Sequence, residues 1–469
     1  MYSPRSGKII LTAAVITRLI SATSADISYF LLAALAITSP RNTLTALLGS
    51  WLFTNLNPEI FPTGNYAFVG RYGVLFAALY SGIYFANTRP SPNAGRSIAL
   101  PISMSLGTFL LLHSLFVSEM PTISTLKSLS WTIAIFASFT TWNLLTTNER
   151  NLVVQLISRT LLGIAVCSLP FLTRGEGYAV NGHGFQGIMI HPQTLGATMA
   201  TAAALAFSQT LALNSHLIAG VSLSAFFSVL IYLSEARTAG AAIFLSVTLA
   251  FASSIIGYGR NFSRRLPTLS AGNALLLLIA LVVVLLLSRE RLETMYSRFV
   301  SKGDRANVSD IFDAYMRSRG KFVERMQANA AKHLWTGMGF GVASNPTEMK
   351  ITYDPFFKIP INASVEKGNT YFAIFEETGL PGAMFTCIWL VSVGFAAFRA
   401  GFPQLTVFFC ILFLNFGEAT LFSAGGFGLL QILLFGWCSS PNSPRTSLPA
   451  TSFHSGLPHR DTSVFWRPR

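Results

Sequence analysis

The chain has 469 residues, 51% of them hydrophobic and only 11% charged, with a mean hydropathy of +0.51. A soluble domain carries about 25% charged residues, so these values exclude a soluble globular protein; the long apolar runs identify a polytopic helical membrane protein, because a membrane barrel would show short alternating segments. The net charge of +14 would point to nucleic acid in a soluble protein, but here much of it lies in short loops, as the positive-inside rule requires, and no nucleic-acid partner is expected.

The N-terminus, MYSPRSGKIILTAAVITRLI, has a basic start and an apolar stretch without a small-residue cleavage site, and reads as retained. Apolar segments then occupy 8–23, 26–39, 43–57, 66–86, 97–117, 125–145, 152–171, 191–213, 217–233, 239–257, 270–288, 371–395, 403–421 and 424–438. They predict an all-α bundle of 12–14 spans with one large external loop containing an amphipathic helix. Arg18 interrupts the first segment, and the second and third are short enough to be tilted or partly re-entrant. Arg41, Arg89, Arg96, Arg150, the Arg260/Arg264/Arg265 cluster and Arg399 all fall on one side of this span list, which marks that side as cytoplasmic. Loops 57–65 and 172–190 then lie outside, together with 289–370.

The organisation expected is therefore an N-terminal bundle over 1–288, the large loop over 289–370, C-terminal helices over 371–438 and a disordered cytoplasmic tail over 439–469, rich in Ser, Pro and Arg. No internal repeat points to inverted-repeat transporter architecture. Within the large loop, Val308, Ile311, Phe312, Tyr315, Phe322, Val323, Met326, Ala330 and Leu334 form one helical stripe. Asn307 and Asp310 offer an N-terminal cap. Arg317, Lys321, Glu324 and Arg325 fall on the polar face, but Arg319 lies on the apolar stripe. It is either a buried ion pair or snorkelling side chain, or a guanidinium aimed at an anionic ligand.

Cys167, Cys387, Cys410 and Cys438 are scattered in or at the ends of apolar runs and read as small core residues, with no disulfide framework or metal-ligand spacing. GxxxxGK, HExxH, CxxC and GxSxG motifs are absent, so neither ATP hydrolysis nor a cofactor is expected. What remains is a ring of polar groups at the outer side: Arg71, His183, His191, Glu235, Arg237, Arg319, and Glu366, Lys367, Asn369, Glu376 and Glu377 at the junction EKGNTYFAIFEETGLPG (366–382). Ionisable groups in or near spans are costly and mark functional sites by default. Arginine suits multidentate recognition of phosphate oxygens, and a lipid diphosphate fits three arginines facing outward. Each residue also has a plainer role open to it: Arg71 and Arg237 as interfacial anchors, His183 and His191 as loop histidines, Glu377 as a partner for backbone or a neighbouring helix.

The junction resembles the C-terminal signature of the O-antigen ligase and polysaccharide polymerase superfamily, read in many members as His-Asn, Tyr-Leu and Glu-x-Gly-x-x-Gly. Gly368-Asn369, Tyr371-Phe372 and Glu377-Thr378-Gly379-Leu380-Pro381-Gly382 occupy that pattern. GFQGIMIHPQTLG (184–196), SEARTAG (234–240) and SRGKFVERM…HLWTGMGFG (318–341) resemble the other family segments in order, so the resemblance covers roughly 180 to 390. It implies a multi-pass glycosyltransferase of the bacterial inner membrane, with its active site facing the periplasm. The donor would be a glycan on a polyprenyl diphosphate, and the acceptor another lipid-linked glycan or a lipid A core sugar. Membrane lipid, a flippase and chain-length or export proteins are the implied partners. Arg237 and Arg319 would hold and stabilise the leaving diphosphate in place of a metal. Arg71, His183, His191, Asn369, Tyr371 and Glu377 are the candidate substrate-binding residues.

One departure matters. The family's loop histidine corresponds to Gly368, which cannot take a proton; Glu366 is the candidate base in its place, His183 or His191 could reach the site from another loop, or the acceptor needs only orientation. The absent histidine leans the reading to a surface or exopolysaccharide polymerase, with an O-antigen ligase as the alternative. A small-solute transporter is the alternative from another class, disfavoured by the missing repeats and by a site away from the bilayer midplane.

Overall fold

The computed structural model describes residues 4–89, 98–180, 183–213, 217–258, 311–353, 360–363 and 367–440. The expected span 270–288, Arg96, the arginine cluster at 260–265, the Asn307 cap, Glu366 and the tail beyond 440 lie outside them. Among the described residues fourteen α-helices follow in chain order: α1 Pro4–Ile20, α2 Ala22–Ala36, α3 Pro40–Thr54, α4 Ala67–Thr88, α5 Ala99–Phe116, α6 Pro121–Leu144, α7 Thr147–Ser168, α8 Pro192–Leu213, α9 Leu217–Leu233, α10 Arg237–Tyr258, α11 Ile311–Lys332, α12 Thr370–Ala400, α13 Phe402–Leu414 and α14 Gly428–Ser439. Local sequence explains several starts. Ser39 accepts from the Asn42 N–H with Pro40 in the first helical position, Thr146 and Glu149 form a capping box, and Pro121 opens α6.

Among the described residues six helices are long and apolar enough to cross a membrane: those beginning at Ala67, Ala99, Thr147, Pro192, Arg237 and Thr370. Ala22–Ala36, Leu217–Leu233, Phe402–Leu414 and Gly428–Ser439 are shorter apolar helices. The all-α polytopic expectation holds, and each expected span inside the described residues is occupied wholly or in part by a helix. The aliphatic core encloses an aromatic cluster. Trp131 of α6 meets Trp389 of α12 edge-on at 5.3 Å, and Phe422 and Phe435 close the cluster.

Four details differ from expectation. The segment 403–421 stops being helical at Leu414, because the Asn415 side chain takes over the chain: its Oδ1 accepts from Leu421 N–H (3.0 Å) and Thr370 Oγ (2.7 Å), and its Nδ2 donates to Ile411 O (2.8 Å). Residues 415–427 thereby become a loop instead of membrane helix. The large loop also holds a short antiparallel ribbon, β1 Ile351–Tyr353 with β2 Pro360–Ala363. On α11, Val323, Met326 and Ala330 are buried as the stripe requires, but Leu334 is 42% exposed because the helix ends at Lys332. Cys410 and Cys438 are buried, whereas Cys167 and Cys387 are exposed on the outer faces of their helices.

The loops gather at one end of the bundle. Ile190 N–H donates to Asn55 O, Glu119 N–H to Met338 O and Thr370 N–H to Asn415 O, at 2.8, 3.0 and 2.9 Å. Chain direction places Arg41, Arg89, Arg150 and Arg399 at the opposite ends of their helices, in keeping with their grouping on one side.

Candidate functional site

The site begins with a broken helix. In an uninterrupted α-helix the N–H of Leu380 would bond the carbonyl of Glu376, and that of residue 381 the carbonyl of Glu377. Gly379 instead adopts φ 64°, ψ −169°, and Pro381 has no N–H to give. Both carbonyls lose their helical donors and must find others. The loop after α11 supplies them: Met338 N–H donates to Glu376 O (3.0 Å) and Gly339 N–H to Glu377 O (2.8 Å), while Leu380 N–H turns to Leu334 O (2.8 Å). Backbone lies directly on backbone. A Cβ on Gly337 would stand 2.5 Å from the Glu377 carbonyl, and one on Gly379 2.7 Å from that of Trp335; both glycines have positive φ. The segments GMGFG and EETGLPG are therefore the two jaws of one clamp. Gly337→Ala should cost about 2–4 kcal/mol through overlap and left-handed strain, read as a lower melting temperature in detergent; an unchanged melting temperature would refute the clamp.

The clamp holds two carboxylates inside the protein. Glu376 is fully buried and Glu377 nearly so. Lys367, 2% exposed, places Nζ 2.7 Å from Glu376 Oε2 and 3.0 Å from Glu377 Oε1. Glu376 also accepts from Asn329 Nδ2 (2.7 Å) and Ser344 Oγ (2.9 Å). Glu377 Oε2 accepts from the Gly341 N–H (2.7 Å) and faces Lys127 Nζ at 3.8 Å. Lys127 projects from α6 over the Phe340 ring (4.8 Å), its side chain 30% exposed. Two lysines and two glutamates balance, which is how four charges are tolerated together away from water.

Beside this quartet opens a cavity of about 400 Å³ lined by Arg71 from α4, Lys127 and Ser130 from α6, Lys367, Glu377 and the loop residues Phe422 to Gly426. Leu75, Ile123, Leu126 and Ile374 give it an apolar wall. Arg71 is fixed by donating to Gly425 O (2.7 Å). With the quartet balanced, the Arg71 guanidinium supplies the excess positive charge, and the cavity is chemically suited to an anion with an apolar attachment.

Loop 415–427 joins the remaining segments to this cavity. Gly184 and Gly196 let 184–196 lie against 234–236: a Cβ on Gly196 would stand 2.2 Å from Ala236 Cβ, and Phe185 N–H donates to Leu233 O (2.9 Å). Glu235, the one non-glycine residue with positive φ among those described (55°), makes the turn that starts α10 at Arg237. The next residue, Thr238, packs on Gly417, where a Cβ would approach to 2.1 Å. Glu418 follows and pairs with Arg319 of α11 at 2.9 Å. Gly368, at φ 66°, lies against that same arginine, with the Arg319 Cδ 2.8 Å from where a Cβ would be.

Of the residues nominated from sequence, Arg71 and Glu377 line the cavity. Arg237 and Arg319 stand behind the 415–427 wall. Asn369 caps α12, accepting from the Tyr371 and Phe372 N–H groups at 2.9 and 3.1 Å, and Tyr371 donates its hydroxyl to Leu412 O (2.7 Å). His191 accepts from the Gln193 N–H through Nδ1 (3.2 Å) at the start of α8, and His183 is exposed in the preceding loop. Glu366 lies outside the described residues. Sequence reasoning gave no role to Lys127, although a lysine near the start of an apolar run is a signal in itself. Glu418 escaped notice inside an assumed span, where a carboxylate should have argued for a loop.

Residues 221–387 match the family described as O-antigen ligase. The match includes SEARTAG, the Arg319 helix with GMGFG, and the whole junction, and supports the O-antigen ligase and polysaccharide polymerase superfamily. No curated protein matches the chain. The family implies a membrane enzyme of the glycosyl-transferring, ligase or polymerase type.

Proposed function

We propose that this chain, whose residues 221–387 match the O-antigen ligase family, transfers or polymerises a glycan from a polyprenyl diphosphate carrier at the periplasmic face of the bacterial inner membrane, as a surface or exopolysaccharide polymerase. The observation that carries the reading is the cavity where Arg71, Lys127 and Lys367 converge beside an apolar wall. A lipid diphosphate has that pairing of anion and hydrocarbon. Arg237 and Arg319 flank the loop that forms one cavity wall. The reaction needs negative charge stabilised on the leaving diphosphate and two large substrates aligned, which fixed cations and a shaped cavity supply.

Glycans from a deletion strain test the reading. Loss of a polymerase leaves single repeat units, loss of a ligase leaves long chains on the carrier lipid, and unchanged glycans sink both. Arg237→Ala and Arg319→Ala should each abolish product while the protein still accumulates in the membrane; normal product from both would remove the diphosphate role of these arginines.

A further inference from the structure

The position of Gly368 leaves acceptor activation without a histidine, and the structure puts a carboxylate beside that position. Glu418 is 22% exposed and bonded to Arg319 at 2.9 Å. Arg319 in turn fills the space that a side chain at position 368 would need. The Glu418 backbone is held independently of its carboxylate. Its N–H donates to Leu414 O (3.2 Å), its carbonyl lies 3.0 Å from the Thr370 Oγ that it shares with Asn415 Oδ1, and Gly417 before it is locked against Thr238. Ala419, the next residue, lines the cavity. Glu418 thus sits where α10, α11, the 367–370 segment and the cavity wall meet, one residue from the space assigned to the donor.

The geometry points to Glu418 as the general base for the acceptor hydroxyl, an assignment that rests on the glycosyl-transfer reading above. The acceptor oxygen bonds to the anomeric carbon. The bond from that carbon to the diphosphate breaks, and its electron pair leaves on the diphosphate. The hydroxyl proton passes to a Glu418 carboxylate oxygen, from which its partial exposure lets the proton reach water. Among the described residues, charged groups near Glu418 include Arg319 from α11, Arg237 at the start of α10 beyond Thr238, and Lys367 beyond Gly368, the last already held by Glu376 and Glu377.

The test uses full-length protein in detergent with the lipid-linked oligosaccharides extracted from cells deleted for the gene, and follows transfer against pH. Wild type should show a rate that falls at acid pH. Glu418→Gln, which keeps an oxygen for Arg319, should lose about 100- to 10,000-fold in kcat together with that acid limb, with KM for the extract little changed; Glu418→Asp should retain the limb at reduced kcat. A Glu418→Gln enzyme with raised KM, intact kcat and an unaltered pH profile would make Glu418 only a holder of Arg319 and overturn the inference. So would loss of the acid limb in Glu366→Gln with Glu418→Gln unaffected. No transfer by wild type would instead overturn the glycosyl-transfer reading itself, and the base assignment with it.

Discussion

Lys367→Met should leave a protein that is poorly recovered from membranes and melts far below wild type. Methionine keeps an unbranched apolar side chain one atom shorter, and removes the charge together with the N–H donors that Glu376 and Glu377 accept from. Glu376 and Glu377 then remain side by side, buried, with Lys127 at 3.8 Å from Glu377 as the nearest cation among the described residues. Removing one partner of a buried ion pair costs about 3–5 kcal/mol, because the charge left behind is desolvated and uncompensated. That is a large part of a typical folding stability of about 5–15 kcal/mol. The double variant Lys367→Met/Glu376→Gln removes the stranded charge, while the Gln oxygen can still accept from Asn329 Nδ2 and its amide NH2 can donate to Ser344 Oγ; it should recover more than half of the loss. Thermal unfolding in detergent, with size-exclusion recovery, decides the matter. A single variant as stable as wild type would mean that the quartet does not hold the clamp together.

The bundle was legible because lipid imposes one strong rule: an unpaired backbone is intolerable, so apolar runs become helices. Span positions followed from composition to within a few residues. The reading failed at 403–421, where apolar content continues but Asn415 ends the helix by hydrogen bonding its side chain across to Thr370 and Leu421. No hydropathy pattern encodes that contact, since its partners lie on two separate segments. The junction 366–382 was recognisable as unusual, yet Gly379 makes sense only with the loop after α11 in view, because it admits the backbone of Leu334 and Trp335. Arg319 illustrates the same limit. Its place on the apolar stripe of α11 was readable, and an ion pair was one of the readings left open, but its partner, Glu418, is 99 residues further along the chain. Lys127 likewise reaches the site by folding alone, its α6 turn meeting Gly341 and Glu377 from the far end of the sequence.

Lys127→Met should behave in the opposite way to Lys367→Met: a folded protein with impaired use of donor. Without Lys127, Glu377 still has Lys367 at 3.0 Å and the Gly341 N–H at 2.7 Å, so each carboxylate keeps a cation in contact, and the imbalance costs less than the loss of Lys367. The cavity, however, loses one of its two cations that are not clasped between carboxylates. Arg71→Ala removes the other, at the expense of a single bond to Gly425 O. A hydrogen bond to a charged group is worth about 1.5–3 kcal/mol, so each substitution should raise the KM for a polyprenyl-diphosphate-linked donor about 10- to 100-fold, at 1.4 kcal/mol per tenfold. The double variant should lose more than either alone and show a weaker dependence of KM on ionic strength, because fewer charges remain for salt to screen. Should both single variants keep wild-type KM in protein of wild-type melting temperature, the anion does not occupy this cavity, and the diphosphate must be sought on the other side of loop 415–427, with Arg237 and Arg319.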